Sequence, residues 1–302
     1  MELAMVGLGK MGGNMVARLV KGGHRVVAFD VNADAVKRTM ELGAEGAFSI
    51  AEVVKKLAAP RVIWVMVPSG KITDDTLRAL LQEVQPGDII IDGGNSYYKD
   101  SMRHALELKE KGINFVDVGT SGGVWGKEEG YSLMIGGEKK VVDSLSPIFE
   151  TLAPAADKGW GRVGPAGAGH FTKMVHNGIE YGMMQAFAEG FEIMNAKKDF
   201  ELDLHQVSEI WRYGSVVRSW LLDLTAGVLE QDASLADLEA YVPDSGEGRW
   251  TVAEAIDLNV AAPIITLSLE QRIRSRQAAP YADKLLSAMR NAFGGHDMKK
   301  VE

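Results

Sequence analysis

Short apolar runs alternate with helix-patterned segments through the first half of this chain, and that alternation limits the fold more than any other feature. The runs cover residues 3–6, 25–30, 62–67, 88–92, 114–118 and 132–135. Several have no polar face, so both faces must be covered, as in a parallel sheet flanked by helices. Helical patterns are expected near 11–22, 33–42, 50–57, 73–84, 99–111 and 138–151. Strand and helix in turn, at this spacing, predict a doubly wound α/β sheet. Past residue 160 the pattern changes. The glycine-rich stretch 161–169 reads as a flexible hinge. Strand-like runs then give way to helical patterns over 170–196, 204–213, 217–231, 234–239, 250–258, 263–277 and 279–292. The expectation is an α/β domain over 1–163, followed by an all-α domain over 164–302 that carries substrate and assembly contacts.

The first predicted strand runs straight into Gly7-Leu8-Gly9-Lys10-Met11-Gly12, a G-x-G-x-x-G turn that opens a helix. Gly7 permits the tight turn, Gly9 lets a pyrophosphate approach the backbone, and Gly12 allows close helix–strand packing. The free N–H groups of the following helix add a partial positive charge for the phosphates. Asp30 ends the second run, where a carboxylate accepts hydrogen bonds from the adenosine ribose. This is the arrangement of a Rossmann-type dinucleotide site. The segment Asp30-Val31-Asn32 offers a negative charge and no following arginine, so NAD is expected over NADP, with NADP as the weaker alternative; Arg25 and Lys37 are the nearby cations that could oppose that preference. Val67 and Pro68, where the third run ends, complete the candidate cofactor contacts of this half.

A second pattern begins the helical half. Lys173, His176, Asn177, Glu180 and Tyr181 fall at i, i+3, i+4, i+7 and i+8, which places all five on one helix face. The flanking positions Phe171, Met174, Val175, Gly178, Ile179, Met183 and Met184 are apolar or small. The helix is therefore expected to be buried on its other sides, with the polar stripe lining a cavity. A solvated face with a Lys/Glu pair is the bland alternative. A two-turn separation is too long for the usual surface pair.

Composition removes other classes. With no cysteine among 302 residues, a disulfide scaffold, a thiolate metal site and a cysteine nucleophile are excluded. The six histidines lack metal-ligand spacing, so no metal is expected. A net charge of −8 argues against nucleic-acid binding. No run approaches a membrane span, and the start does not read as a secretory signal, so a cytoplasmic home is expected. Residues 271–302 nevertheless carry seven Lys/Arg against three Asp/Glu. A solvated helix surface would account for them as well as a binding tail would.

Taken together, these motifs resemble the 6-phosphogluconate dehydrogenases, within the wider β-hydroxyacid dehydrogenases. The stripe Lys173-x-x-His176-Asn177-x-x-Glu180-Tyr181 is similar to that family's catalytic helix. Ile91-Asp92-Gly93-Gly94-Asn95-Ser96 resembles its nicotinamide and substrate loop, and Gly119-Thr120-Ser121-Gly122-Gly123 its substrate carboxylate loop. Arg290 to His296 resembles a tail that reaches into a neighbouring subunit. The chain resembles the shorter branch, without a duplicated helical half. One segment departs from the pattern: Ser245 and Glu247 stand where long-chain members hold the substrate phosphate with a lysine and a threonine. Arg272, Arg274 and Arg276 are the available cations, and Arg272 matches a phosphate ligand by its spacing from Trp250.

The resemblance implies oxidative decarboxylation of 6-phosphogluconate to ribulose 5-phosphate with NAD. It implies Lys173 as base, Glu180 as acid, and Asn177 as a further catalytic-site residue. Asn95, with both cofactor and substrate, Ser121, Gly122, Gly123, His176, Asn177, Tyr181, Arg272, Arg290 and His296 are the implied substrate contacts, and a homodimer or homotetramer the implied assembly. Two other readings remain. A non-decarboxylating relative acting on 3-hydroxyisobutyrate shares the lysine and asparagine but usually lacks the equivalents of Glu180 and of the Arg290/His296 tail. A non-catalytic NAD-binding sensor would have no use for an acid and a base on one helix face.

Overall fold

The computed structural model describes residues 1–300, and the chain divides into two compact units, Met1–His176 and the residues from Asn177 onward. In the first unit eight strands form one sheet: β1 Glu2–Val6, β2 Arg25–Phe29, β3 Glu45–Ala47, β4 Val62–Val65, β5 Ile89–Asp92, β6 Asn114–Ser121, β7 Ser132–Gly137 and β8 Trp160–Gly164. Their order is β3-β2-β1-β4-β5-β6-β7-β8. All neighbours are parallel except β6 and β7. The helices of this unit are α1 Lys10–Lys21, α2 Ala33–Glu41, α3 Ile50–Lys55, α4 Lys71–Leu80, α5 Tyr98–Lys109, α6 Gly126–Glu129, α7 Lys139–Ser144 and α8 Ser146–Leu152.

The strands are apolar on both sides because both sides are covered. Leu3, Met5, Trp64 and Ile91 belong to the core on one face, and Ala4, Val6, Ile63 and Ile90 to the core on the other. These eight side chains are at most 2% exposed, and burying each Val, Leu, Ile or Met among them stabilises by roughly 1.5–3 kcal/mol. Strand order reverses between β1 and β4. In such sheets ligands bind outside the carboxyl ends of the strands at the reversal, and there the G-x-G-x-x-G turn and Val67-Pro68 lie.

The sheet holds two strands that the apolar pattern does not show. β3 is only Glu-Gly-Ala, and it forms because β2 offers a parallel edge. β8 occupies the first half of the expected hinge: Trp160–Gly164 pairs with β7, and Arg162 donates to the Gly137 carbonyl at 2.7 Å. Stretch 161–169 is thus an edge strand leading into a helix rather than a loose linker. The expected helix over 138–151 is two helices, because Pro147 favours a helix start and opposes continuation from the previous turn.

The long helix α9, Ala168–Ala196, ends the first unit and opens the second. It is followed by α10 Leu204–Arg212, α11 Trp220–Gln231, α12 Glu247–Asp257, α13 Pro263–Ser275 and α14 Tyr281–Gly294. A helix expected over 234–239 is absent. There the Asp232 carboxylate accepts from both the N–H and the hydroxyl of Ser234, and Leu235 adopts a φ of 49°, so local turn chemistry wins. The core of the second unit is small: Phe191, Leu204, Leu222 and Leu229, with Phe191 edge-on to Trp211. No residue of α14 is buried. No described helix is long and apolar enough to cross a membrane.

Candidate active site

The glycine turn is built as its spacing requires. Gly7 has φ +97°, and a Cβ there would lie 2.3 Å from the Met66 carbonyl oxygen. A Cβ on Gly12 would lie 2.1 Å from the Gly7 carbonyl oxygen, so α1 packs directly on the turn. A Cβ on Gly9 would meet nothing within 4 Å. Gly9 caps α1 without a side chain, and the first turn of α1, which Lys10, Met11 and Gly12 begin, carries no acid. Open space over an uncapped helix start fits a pyrophosphate. Asp30 is fixed beside it: one carboxylate oxygen accepts the Leu8 N–H at 2.6 Å, the other the Asn32 N–H at 2.8 Å. Val31 next to it is 96% exposed.

Further along the carboxyl edge, Val67 and Pro68 follow β4, and exposed Asn95 follows β5. The Asp92 carboxylate, fully buried, accepts the Gly94 N–H at 3.0 Å and shapes this loop. Ser121 ends β6, and Gly122 and Gly123 turn away from it with φ of +130° and +52°. The loop rests on the Tyr131 ring, whose hydroxyl burial pushes up to about 12.

Lys173 is 8% exposed and stands on α9 where that helix crosses β6; a Cβ on Gly119 would lie 2.4 Å from the Lys173 Cβ. The Lys173 Nζ lies 3.4 Å from His176 Nδ1, and His176 Nε2 lies 3.3 Å from the Ser121 hydroxyl. Within the first unit the structure thus brings together an amine, an imidazole and the head of the candidate carboxylate loop.

The second unit continues the stripe. Asn177 is 9% exposed, Glu180 half-buried and Tyr181 5% exposed. The Arg272 guanidinium lies over the Tyr181 ring, 3.5 Å from its centre, and donates to the Pro243 carbonyl. The Tyr181 hydroxyl accepts the Ser245 N–H at 3.4 Å, and the Ser245 hydroxyl donates to Glu247 at 2.6 Å. Of the other two arginines, Arg274 pairs with Asp283 and Arg276 with Asp244. Hydrogen bonds from Arg249, and then from Arg276, hold the Asp244 carboxyl below its usual range. Arg290 is exposed on α14, and His296 is exposed just past its end.

The flank of α9 corrects an expectation. Met174 and Gly178 are buried as expected, but Ile179, Met183 and Met184 are 53%, 40% and 41% exposed, so the helix is not covered on all of its other sides. Two groups of this site escaped the sequence reading: Asp117 and His170, both fully or almost fully buried beside the start of α9. Their one sequence signal is an acid between Val116 and Val118, in an otherwise apolar run. Among the described residues no group of three or more His, Asp or Glu is placed to hold a metal ion.

Fold and turn together define a dinucleotide-binding oxidoreductase with a helical second half. Residues 2–161 match the NAD binding domain of 6-phosphogluconate dehydrogenase, and residues 169–288 match the C-terminal domain of 6-phosphogluconate dehydrogenase. The YqeC protein of Bacillus subtilis is 43% identical over 300 residues, covering 99% of this chain and all of the relative. An NAD(+)-dependent, decarboxylating 6-phosphogluconate dehydrogenase of Haloferax volcanii is 41% identical over the full length of both chains. Among solved structures, the Plasmodium falciparum 6-phosphogluconate dehydrogenase superposes with a TM-score of 0.84 at 28% identity; the match covers all of this chain and 66% of that one. The chain belongs to the 6-phosphogluconate dehydrogenase family.

Proposed function

We propose that this protein oxidises 6-phosphogluconate and decarboxylates it to ribulose 5-phosphate, with NAD as the preferred acceptor. The observation that carries the reading is Lys173, buried on α9 and linked through His176 to Ser121. Ser121, Gly122 and Gly123 hold the substrate carboxylate in this reading, and Asn95 and Asn177 its hydroxyls. Lys173 takes the proton of the C3 hydroxyl. NAD, held by the Gly7–Gly12 turn and Asp30, would supply the acceptor for the C3 hydride. Protonated Lys173 then hydrogen-bonds the new C3 carbonyl oxygen, which draws electrons from the breaking C1–C2 bond as CO₂ leaves. Glu180 delivers a proton to the carbon that lost CO₂. His176 and Tyr181 line the bound sugar acid, and Arg272 supplies a charge for its phosphate.

The NAD preference rests on Asp30 and on what surrounds it. Arg25 pairs with Glu2 and Glu45, and Lys37 with Asp34, so both nearby cations already face carboxylates. A 2′-phosphate would meet the Asp30 charge without a committed partner. In the same reading, residues 1–163 bind the dinucleotide and 164–302 serve substrate and assembly, in a cytoplasmic homodimer or homotetramer. Arg290 and His296 of one copy complete the site of another. The exposed apolar side chains Tyr281, Leu285, Leu286, Met289 and Phe293 on α14 support a covered tail in the assembly.

Incubation with 6-phosphogluconate and NAD, with NADH and CO₂ measured together, tests the reading. Equal yields support it. NADH without CO₂ would make the protein a non-decarboxylating dehydrogenase, and neither product would refute the substrate.

A further inference from the structure

Asp117 in β6 has no exposed surface, and its carboxylate is spent on α9. One oxygen accepts the Gly167 N–H at 2.7 Å, and the other accepts the His170 N–H at 2.8 Å. These are donors at the very start of α9, which the helix itself cannot satisfy. Helix caps usually come from the adjoining chain. This one comes from a strand 50 residues earlier. The positive end of α9 stabilises the buried charge, and His170 Nδ1, hydrogen-bonded to the Ser101 hydroxyl at 2.6 Å, stands 4.0 Å from it. Glycines make the approach possible: a Cβ on Gly136 would lie 2.3 Å from the Asp117 carboxylate, and one on Gly169 2.6 Å from the Asp117 carbonyl oxygen.

We propose that Asp117 is the positioning residue for Lys173. β6 carries both the cap, at Asp117, and the candidate carboxylate loop, at Ser121. α9 carries both the capped end and Lys173. One carboxylate therefore sets the register of the base against the loop. The contact that depends on this register, 3.3 Å from His176 on α9 to Ser121 on β6, is already at the long end for hydrogen bonds, and His176 in turn stands 3.4 Å from Lys173 on the same helix. A shift of a few tenths of an ångström between strand and helix would break the His176–Ser121 contact. The inference rests on the reading of Lys173 as base given above.

The test compares Asp117→Asn with Asp88→Asn. Asp88 is a comparably buried carboxylate: it is 1% exposed, accepts the N–H groups of Arg61 and Gln85, pairs with the Arg61 guanidinium at 3.1 Å, and sits at the amino end of β5. Asparagine keeps the shape but turns an N–H toward one of the two helix donors. With a displacement near 1 Å costing about 10²-fold, Asp117→Asn should lower kcat per NADH-binding site by about that factor. KM for 6-phosphogluconate and the Kd for NAD should stay within about threefold. Asp88→Asn should lower Tm and leave kcat unchanged. Acetylation of Lys173 by acetic anhydride, followed by mass spectrometry without substrate, should speed up relative to the other lysines in Asp117→Asn alone. Should Asp117→Asn not fold, Asp117→Ser keeps one acceptor and replaces it. Equal kcat losses in both variants, or unchanged kcat and Lys173 labelling in Asp117→Asn, would overturn the inference. A wild-type protein inert toward 6-phosphogluconate would refute the proposed substrate, and the labelling comparison would then decide the role of Asp117 alone.

Discussion

Replacing Asp30 with Ser and Val31 with Arg should convert the proposed NAD preference into an NADP preference. The carboxylate cannot swing aside to admit a 2′-phosphate, because the Leu8 and Asn32 N–H groups hold both oxygens. At about 5 Å and an effective dielectric of about 20, its repulsion of one phosphate charge is about 3 kcal/mol. Removing it is therefore worth roughly 10²-fold for NADP. The loss of charge-assisted bonds to the ribose hydroxyls costs NAD roughly 1.5–3 kcal/mol, or about 10–100-fold. Serine can still accept the buried Leu8 N–H, which spares the fold an orphaned donor. Arginine at 31 disturbs no packing, since Val31 is 96% exposed. The ratio of kcat/KM for NADP to that for NAD should thus rise by about 10³-fold or more. Initial rates with both coenzymes, followed by the absorbance of the reduced nicotinamide, measure it. A native enzyme that already prefers NADP, or a ratio that moves less than about tenfold at unchanged Tm, would refute the electrostatic argument.

Lys173→Met should cost kcat about 10²–10⁴-fold while NAD titration by fluorescence stays unchanged; retention of a tenth of the native rate would exclude an essential base. Gly9→Val should keep Tm, because a Cβ there meets nothing, yet weaken NAD binding, whereas Gly12→Val drives a side chain into the Gly7 carbonyl and should destabilise by about 1–3 kcal/mol or more. Calorimetry and NAD titration separate the two, and equal effects would mean that the turn has no open cradle. Mixing Lys173→Met with the double variant Arg290→Ala and His296→Ala, under subunit exchange, should restore activity, since a mixed dimer regains one intact site. Proven exchange without recovery would place the tail outside its neighbour's site.

What the sequence disclosed was whatever a local pattern encodes. Gly7, Gly9 and Gly12 have distinct surroundings, and their spacing alone distinguishes turn, approach and packing. The apolar strands were legible because a two-sided core leaves no polar alternation to confuse them. β3 and β8 were not, since a Glu-Gly-Ala segment and a glycine-flanked Trp160–Gly164 have little apolar character of their own. They exist because a neighbouring edge offers backbone partners, and no window of sequence contains that edge.

The stripe on α9 shows the same limit one level higher. Helical spacing put Lys173, His176, Asn177, Glu180 and Tyr181 on one face, but it could not say which face the fold covers. The expected apolar cover is present at Met174, 2% exposed, and absent at Ile179, Met183 and Met184, which are open. Asp117 carries the point further. Its role depends on a helix that begins 50 residues later, on glycines in β7 and at the head of α9, and on a strand shared with Ser121. A lone acid in an apolar strand is the only trace of this in sequence. Such an acid is expensive to bury, so it marks a place where the fold must supply donors, and here those donors belong to the helix that carries the base.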